Sequence, residues 1–235
     1  MPQNPIIVPL DVSDRDTALR LTETLAGSVG AVKVGKELFV TAGPDIVREI
    51  RATGASVFLD LKFHDIPNTV AKAIAAATRL DVQMLTIHTS GAGTMMAAAE
   101  KAAQDTAQEL GQEPPLVLGV TVLTSMDGDD LSQIGVSATP EEQVERLAKL
   151  AADAGLRGLV CSPLEIERLR AVLPAHVQLV TPGIRPAGSQ AGDQKRIMTP
   201  KDALRAGADW LVIGRPITQA EDPKAAAVQI LESLG

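Results

Sequence analysis

The chain has 235 residues, close to the roughly 250 that one α/β barrel typically needs. Its 22 Lys and Arg against 29 Asp and Glu give a net charge of −7, which argues against a general nucleic-acid surface. The single Cys161 excludes an internal disulfide and fits a reducing compartment, and no membrane-length apolar run or export leader is visible. We therefore expect a cytoplasmic protein that binds neither nucleic acid nor membrane, with residues 1–235 forming a single domain.

Short apolar segments alternate with Ala-rich segments of helical period along the chain. Predicted strands lie at 6–11, 31–34, 56–62, 83–88, 116–123, 158–161, 178–181 and 209–213. Predicted helices lie between them, at 14–26, 44–52, 69–80, 93–110, 141–154, 163–172 and 200–206. Apolar strands that alternate with helices indicate a parallel sheet covered by helices. Eight such units favour closure, so the predicted fold class is α/β, a (β/α)8 TIM barrel.

Helix start signals agree with this pattern. Ser13 is the predicted cap of the first helix, while Thr139 and Thr199 each precede a proline at the start of a later one. The longest irregular stretch, 182–198, is rich in Gly, Pro, Ser and Gln. A loop of this length is usually functional or disordered. The alternative interpretation is a surface loop without a functional role.

Polar side chains stand at most of the predicted strand ends, where barrel enzymes carry their functional sites. The segment from Phe58 to Asp65 is the centre of this pattern. Asp60 and Lys62 are two apart on a strand, so both project to one face. Lys33 on the neighbouring strand extends the pair into an alternating chain of lysines and aspartates. Two interpretations of these residues remain open at this point: a catalytic charge network, and a cluster of ion pairs that only fills the end of the barrel.

The last predicted strand is followed by a pattern suited to anions. Gly214 lets the backbone approach a ligand closely, and Arg215 offers a bidentate donor at a predicted helix start. A turn glycine beside a surface arginine is the alternative. The segment 90–93 is better interpreted as a small-residue turn that opens the next helix.

The remaining reactive side chains give no strong signal. His64 and His176 have no companion at metal-ligand spacing, and His88 is typical of a strand-end imidazole. Cys161 lacks an activating base nearby in sequence, which disfavours a role as nucleophile. No dinucleotide, P-loop or zinc-protease motif is present.

Residues 60–69, Asp-Leu-Lys-Phe-His-Asp-Ile-Pro-Asn-Thr, resemble the D-x-K-x-x-D-I-P-N-T signature of the orotidine 5′-phosphate decarboxylase family. The resemblance extends over most of the chain. It includes Pro-Leu-Asp at 9–11, Val-Lys-Val-Gly at 32–35, Leu-Thr-Ser at 123–125, Gly-Ile-Arg-Pro at 183–186, Asp-Gln at 193–194 and Ile-Gly-Arg-Pro-Ile at 213–217. The D-x-K-x-x-D core is shared with sister enzymes, whereas the combination is highly specific.

The resemblance implies decarboxylation of orotidine 5′-phosphate to uridine 5′-phosphate without metal or organic cofactor. Lys62 would protonate C6 of the pyrimidine, Asp60 would lie against the substrate carboxylate, and Lys33 would hold Asp60 and the ribose. Family members are also expected to form a homodimer in which Asp65 acts across the interface, together with Ile66 and Thr69.

The other implied substrate contacts are divided among three parts of the nucleotide. Asp11 would bind the ribose hydroxyls and Thr124 would recognise the polar edge of the pyrimidine. The phosphate and its loop would be contacted by Pro182, Arg185, Gln194, Gly214 and Arg215.

Two alternatives stay open on the sequence. A sister barrel enzyme of the keto-gulonate phosphate decarboxylase or hexulose phosphate synthase type would use Mg²⁺ to stabilise an enediolate. The other alternative is a barrel that binds a phosphorylated nucleotide without catalysis. This chain retains both Asp60 and Lys62, which argues against a loss of catalysis.

Overall fold

A computed structural model describes residues 4–186 and 198–234. Its eight parallel strands pair in chain order and close into a barrel, β1 pairing with β8, so the predicted fold class is confirmed. The strands are β1 Ile6–Pro9, β2 Ala31–Gly35, β3 Val57–Phe63, β4 Met84–His88, β5 Leu116–Val120, β6 Gly158–Val160, β7 Gln178–Thr181 and β8 Trp210–Val212.

Helices surround the barrel in the described residues. They are α1 Arg15–Thr24, α2 Lys36–Ala42, α3 Asp45–Ala52, α4 Pro67–Thr78, α5 Ala92–Leu110, α6 Gly128–Gln133, α7 Pro140–Asp153, α8 Ile166–Val172, α9 Pro200–Ala206, α10 Arg215–Thr218 and α11 Pro223–Glu232. Two 3₁₀ turns, Thr89–Gly91 and Pro163–Glu165, precede α5 and α8. None of these helices is long and apolar enough to cross a membrane.

Several predicted boundaries were wrong. The predicted strands 6–11, 116–123 and 209–213 end earlier in the structure, at Pro9, Val120 and Val212. Apolar residues such as Leu10, Val122 and Ile213 are typical of a strand, but in the structure they follow the last residue of each strand. The helices α2, α6 and α11 were not predicted. The helix α2 follows β2 without a connecting turn, and α6 has only six residues, so neither has a clear signal in the sequence.

Helix caps are set by local chemistry, and one predicted cap was wrong. Asp14, not Ser13, caps α1 by accepting a hydrogen bond from the Thr17 amide at 2.9 Å. Thr139 caps α7 as predicted, in a reciprocal capping box with Glu142. Such caps stabilise a helix by about 1 kcal/mol each, because they satisfy amides that have no partner within the helix.

Alternation along each strand divides the core in two. Ile7, Phe58 and Val180 belong to a small cluster inside the barrel, whereas Val8 and Leu59 belong to the larger cluster beneath the helices. The inner cluster packs the barrel interior beneath the carboxyl ends of the strands. The carboxyl ends can therefore carry polar side chains without leaving the interior empty.

Candidate functional site

A row of alternating charges lies at the carboxyl ends of the first three strands. The Lys33 Nζ atom lies 3.5 Å from Asp11 Oδ1 and also 3.5 Å from Asp60 Oδ2. The Lys62 Nζ atom donates a hydrogen bond to Asp60 Oδ1 at 2.7 Å. The pairing of Lys33, Asp60 and Lys62 anticipated from their spacing is therefore present, and Asp11 ends the row on its far side.

The row does not continue to Asp65 within one chain. Asp65 is exposed, and its Oδ1 accepts a hydrogen bond from the Ile66 amide at 2.6 Å. It forms no ion pair with any residue of 4–186 or 198–234. Ile66 and Thr69 are exposed as well. This segment therefore presents a carboxylate without an ion-pair partner among the described residues, and an apolar side chain, on the surface of the chain.

The charge of Asp60 is maintained against its burial. The Asp60 side chain is only 13% exposed, and this desolvation by itself raises the pKa of the carboxyl group. The charges of Lys33 and Lys62 and the hydrogen bonds from Lys62 and Thr86 together outweigh it, so that the pKa of Asp60 lies below its ordinary value. The carboxylate is therefore ionised at neutral pH, and it holds two ammonium groups in place.

Thr86 belongs to this group, although its position in the sequence did not mark it. Its Oγ1 donates to Asp60 Oδ1 at 3.0 Å and accepts from the Lys62 amide at 2.8 Å. The sequence did contain a signal: Thr86 is the polar residue in the middle of an apolar strand, Met84–His88. The alternation of that strand puts it on the inside of the barrel, level with Asp60.

An apolar cavity of about 170 Å³ lies above the charge row. Lys33, Asp60 and Lys62 form its polar side, and Thr124 also lines it. The rest of its wall is largely apolar and is formed by Phe58, Val120, Val122, Leu123, Val160, Cys161, Val180, Pro182 and Val212, with Ser162 beside them. A mostly apolar wall with a few polar groups on one side is typical of a small-molecule site.

A second cavity of about 470 Å³ adjoins the first, since Lys33, Pro182 and Val212 line both. Arg185 and Arg215 lie on its wall. Asp11 lines it as well, beside Lys33.

Loop backbone shapes this second cavity. Gly214 packs against Pro9, where an added Cβ would lie 3.1 Å from Pro9 Cγ. The predicted helix start after Gly214 is α10. Thr218 and Gln219 also line the cavity, and nothing in their sequence context had singled them out.

The stretch 182–198 is described only at its two ends. Ile184 and Met198 form an isolated parallel bridge, and the Arg185 amide donates to the Met198 carbonyl at 3.0 Å. This bridge holds the buried Arg185 at the base of the loop. Gln194, a predicted phosphate contact, lies outside the described residues.

The other reactive side chains have local explanations. Burial, and secondarily the charge of Glu165, raises the pKa of the Cys161 thiol to about 12. Burial also lowers the pKa of His88, helped by the charges of His64, Lys62 and Lys36. Within residues 4–186 and 198–234, no three or more His, Cys, Asp or Glu side chains converge as a metal site.

Comparison with known proteins identifies the family. Residues 4–230 match the family described as orotidine 5′-phosphate decarboxylase / HUMPS. Proteins named orotidine 5′-phosphate decarboxylase from Opitutus terrae and Pseudoalteromonas translucida are 57% and 52% identical to this chain. The alignments cover 97% of this chain in both cases, and 97% and 96% of those proteins.

Solved structures agree. The crystal structure of orotidine 5′-phosphate decarboxylase from Lactobacillus acidophilus superposes with a TM-score of 0.89 at 37% identity, over 99% of this chain and 100% of that one. An uncharacterized conserved protein from Geobacillus kaustophilus superposes with a TM-score of 0.87 at 34% identity, over 98% and 100%. The chain therefore belongs to the orotidine 5′-phosphate decarboxylase / HUMPS family.

Proposed function

We propose that this protein is a carboxy-lyase that converts orotidine 5′-phosphate to uridine 5′-phosphate with no metal or organic cofactor. One observation carries the proposal: an apolar cavity with an Asp–Lys row on one side adjoins a cavity lined by two arginines. The first fits a pyrimidine ring, and the second fits a phosphate. The names of relatives more than 50% identical over nearly the whole chain support the same substrate.

Lys62 is the proton donor in this proposal. When the bond from C6 to the carboxylate carbon breaks, carbon dioxide leaves and the electron pair stays on C6, which has no adjacent electron sink. An ammonium held beside C6 stabilises that charge and then transfers its proton there, and the resulting amine regains a proton from solvent. The Lys62 ammonium, fixed on Asp60 at the side of the apolar cavity, has the charge and setting for both tasks.

Asp60 supports this step without taking part in proton transfer. It orients Lys62 through the 2.7 Å hydrogen bond, and it would repel the carboxylate of a substrate bound beside it. That repulsion is relieved as carbon dioxide leaves. Lys33, between Asp60 and Asp11, keeps Asp60 ionised and faces both cavities, which suits a contact to the ribose.

The phosphate end supplies binding energy for this unfavourable arrangement. Arg185 and Arg215 offer bidentate donors, and the absence of a side chain at Gly214 would let the backbone approach a phosphate oxygen. Interactions with a part of the substrate that does not react can offset the cost of desolvating charges at the reacting carbon. Asp11 would bind ribose hydroxyls and Thr124 the polar edge of the pyrimidine. Pro182 lines both cavities, and Gln194 remains a proposed phosphate ligand.

The proposed functional unit is a homodimer. Asp65 would extend the charge row of the partner subunit, and Ile66 and Thr69 would pack beside it. The exposure of all three residues in the isolated protomer supports this arrangement. Ile66 in particular is 65% exposed, unusual for an isoleucine unless another surface covers it.

The test is the loss of orotidine 5′-phosphate absorbance in the wild type, in Lys62→Ala and in Lys101→Ala, each with and without excess EDTA. Lys101 is the matched control because its ion pair with Asp105 lies on the surface of α5. We expect wild type and Lys101→Ala to turn over equally in EDTA, and Lys62→Ala to lose about 10³-fold in kcat, the scale of general acid catalysis.

The alternatives give different results in the same assay. Loss of wild-type turnover on chelation, restored by Mg²⁺, would identify a metal-dependent sister activity. Both site carboxylates already face Lys33, so a divalent cation would have to displace that ammonium. Tight binding of uridine 5′-phosphate without any turnover would instead indicate a binding protein.

Mixing two inactive variants tests the shared site. Lys62→Ala and Asp65→Ala should each be nearly inactive alone, yet a mixed dimer contains one intact site, with Lys62 from one subunit and Asp65 from the other. Random reassortment should therefore recover about a quarter of wild-type activity, given the two-fold symmetry of the dimer. The measurement is kcat after refolding an equimolar mixture, with each variant refolded alone as the control. Recovery of no activity in a verified mixed dimer would exclude the shared site.

A further inference from the structure

The backbone at Lys62 has an unusual conformation. Its φ angle is 54°, in the left-handed region, which costs about 1 kcal/mol or more for a residue with a Cβ. The register between β3 and β4 also shifts here, between Leu59 and Phe63. Three residues of β3, 60–62, therefore oppose the single residue Thr86 on β4. The side chain proposed to deliver the proton thus starts from a strained bulge rather than from a regular strand.

The bulge interrupts the hydrogen-bond ladder between β3 and β4. The Thr86 hydroxyl takes the place of a backbone carbonyl as the acceptor for the Lys62 amide. Thr86 is fully buried, and its Oγ1 accepts a hydrogen bond from the Lys62 amide at 2.8 Å. Since a backbone N–H can only donate, the hydroxyl's own proton is directed to Asp60 Oδ1, 3.0 Å away. The same Asp60 oxygen accepts from Lys62 Nζ at 2.7 Å.

These three hydrogen bonds form a closed ring. It runs from the Lys62 amide through the Thr86 hydroxyl to the Asp60 carboxylate, and returns through the Lys62 ammonium. Both ends of the Lys62 residue, backbone and side chain, are thereby fixed relative to one carboxylate oxygen.

Two other buried threonines, both on helices, act differently. Thr22 and Thr78 donate to carbonyls one turn earlier on their own helices, Ala18 and Ile74. Such bonds are local and transmit nothing to the site. Thr86 instead connects the backbone amide of Lys62 to the carboxylate of Asp60. Both of these residues belong to the charge row.

We propose that Thr86 is a positioning residue, which through its hydroxyl holds the strained Lys62 backbone and Asp60 so that the Lys62 ammonium stays beside the reacting carbon. This rests on the proposed function, in which Lys62 donates the proton. Thr86 acts through Lys62 and Asp60 and is not itself a proton donor to substrate. Its effect should fall on kcat more than on nucleotide binding, because the second cavity does not include it.

The experiment compares Thr86→Val, Thr86→Ala and Thr86→Ser with the control Thr78→Val, which removes an equally buried hydroxyl from α4. For each folded variant, kcat and KM for orotidine 5′-phosphate and the Kd for uridine 5′-phosphate are measured. Losing a hydrogen bond to a charged group corresponds to about a 10- to 100-fold loss, which we expect in kcat for Thr86→Val and Thr86→Ala with little change in Kd. Thr86→Ser should retain most activity, and Thr78→Val should keep the wild-type kcat.

Several outcomes would overturn the inference. Wild-type kcat in Thr86→Val or Thr86→Ala, an equal loss in Thr86→Ser, or a loss confined to KM would each do so. A crystal structure of Thr86→Ala in which Lys62 keeps its φ and its contact with Asp60 would overturn it independently of turnover. If wild type itself shows no turnover, the proposed function fails, while that crystal structure still decides whether Thr86 positions Lys62.

Discussion

The two halves of the barrel place unlike side chains in and around the apolar cavity. The inward positions near the carboxyl ends of β2, β3 and β4 carry Lys33, Asp60 and Thr86, while Asp11 follows β1. The corresponding positions on β5 to β8 are apolar: Val120, Val160, Val180 and Val212. One half thus supplies fixed charges and hydrogen bonds, and the other supplies a wall with few polar atoms.

This contrast has a physical consequence. Charges interact strongly only where water is excluded, because the effective dielectric constant falls as the surroundings become apolar. The valine wall therefore strengthens the field of the lysines at the reacting carbon, and the lysine–aspartate row keeps that field correctly directed. Neither half would be effective without the other, and substitutions in each half should have effects of different size.

Among three further substitutions and treatments that compare the two halves, the largest effect is expected in the charged half, from Asp60→Asn. The amide would leave Lys33 and Lys62 facing each other without an anion between them, and Lys62 would be oriented by a neutral oxygen at most in place of a charged one. We expect kcat to fall about 100-fold or more, on the scale of two charge-assisted hydrogen bonds. Asp105→Asn, which removes only an exposed partner of Lys101, is the control. Retention of wild-type kcat by Asp60→Asn would show that the row is merely structural.

A smaller effect is expected in the apolar half, from Val180→Thr. The substitution keeps the shape but adds a hydroxyl to the cavity wall, where it attracts water or the substrate carboxylate and weakens the field of Lys62. We expect kcat to fall about 3- to 10-fold, equivalent to ~1 kcal/mol. Val177→Thr, buried beneath the helices, serves as the control, since it should lower the melting temperature alone. Equal kcat in the two variants would contradict a role for the apolar wall.

The smallest effect is expected at Cys161, the thiol in the apolar half. With its pKa raised to about 12 by burial, the group is neutral at pH 8, and only the thiolate reacts with alkylating reagents. Iodoacetamide at pH 8 should modify the native protein about 100-fold or more slowly than the urea-unfolded protein, and turnover should survive the treatment. Rapid modification of the native protein with loss of activity would mean that this wall opens to solvent.

Much of the fold followed from patterns that are local in the chain. All eight strands were predicted, because buried strands are short apolar runs and their separation by helical segments leaves few topologies. The pairing of Asp60 with Lys62 also followed from their spacing, since residues two apart share a face of a strand. Strand ends were less predictable, as at Val120, because hydrogen-bond partners rather than side-chain hydropathy determine where a ladder stops.

By itself the sequence determined the barrel, the alternation of charge among Lys33, Asp60 and Lys62, and the resemblance to a family, because all three depend on spacing and residue type. Only the tertiary structure decided the left-handed backbone at Lys62, the buried hydroxyl of Thr86 that holds it, and the contact of Asp11 with Lys33. These depend on how neighbouring strands are aligned. A bulge in one strand is defined by its partner, which no stretch of sequence read alone contains.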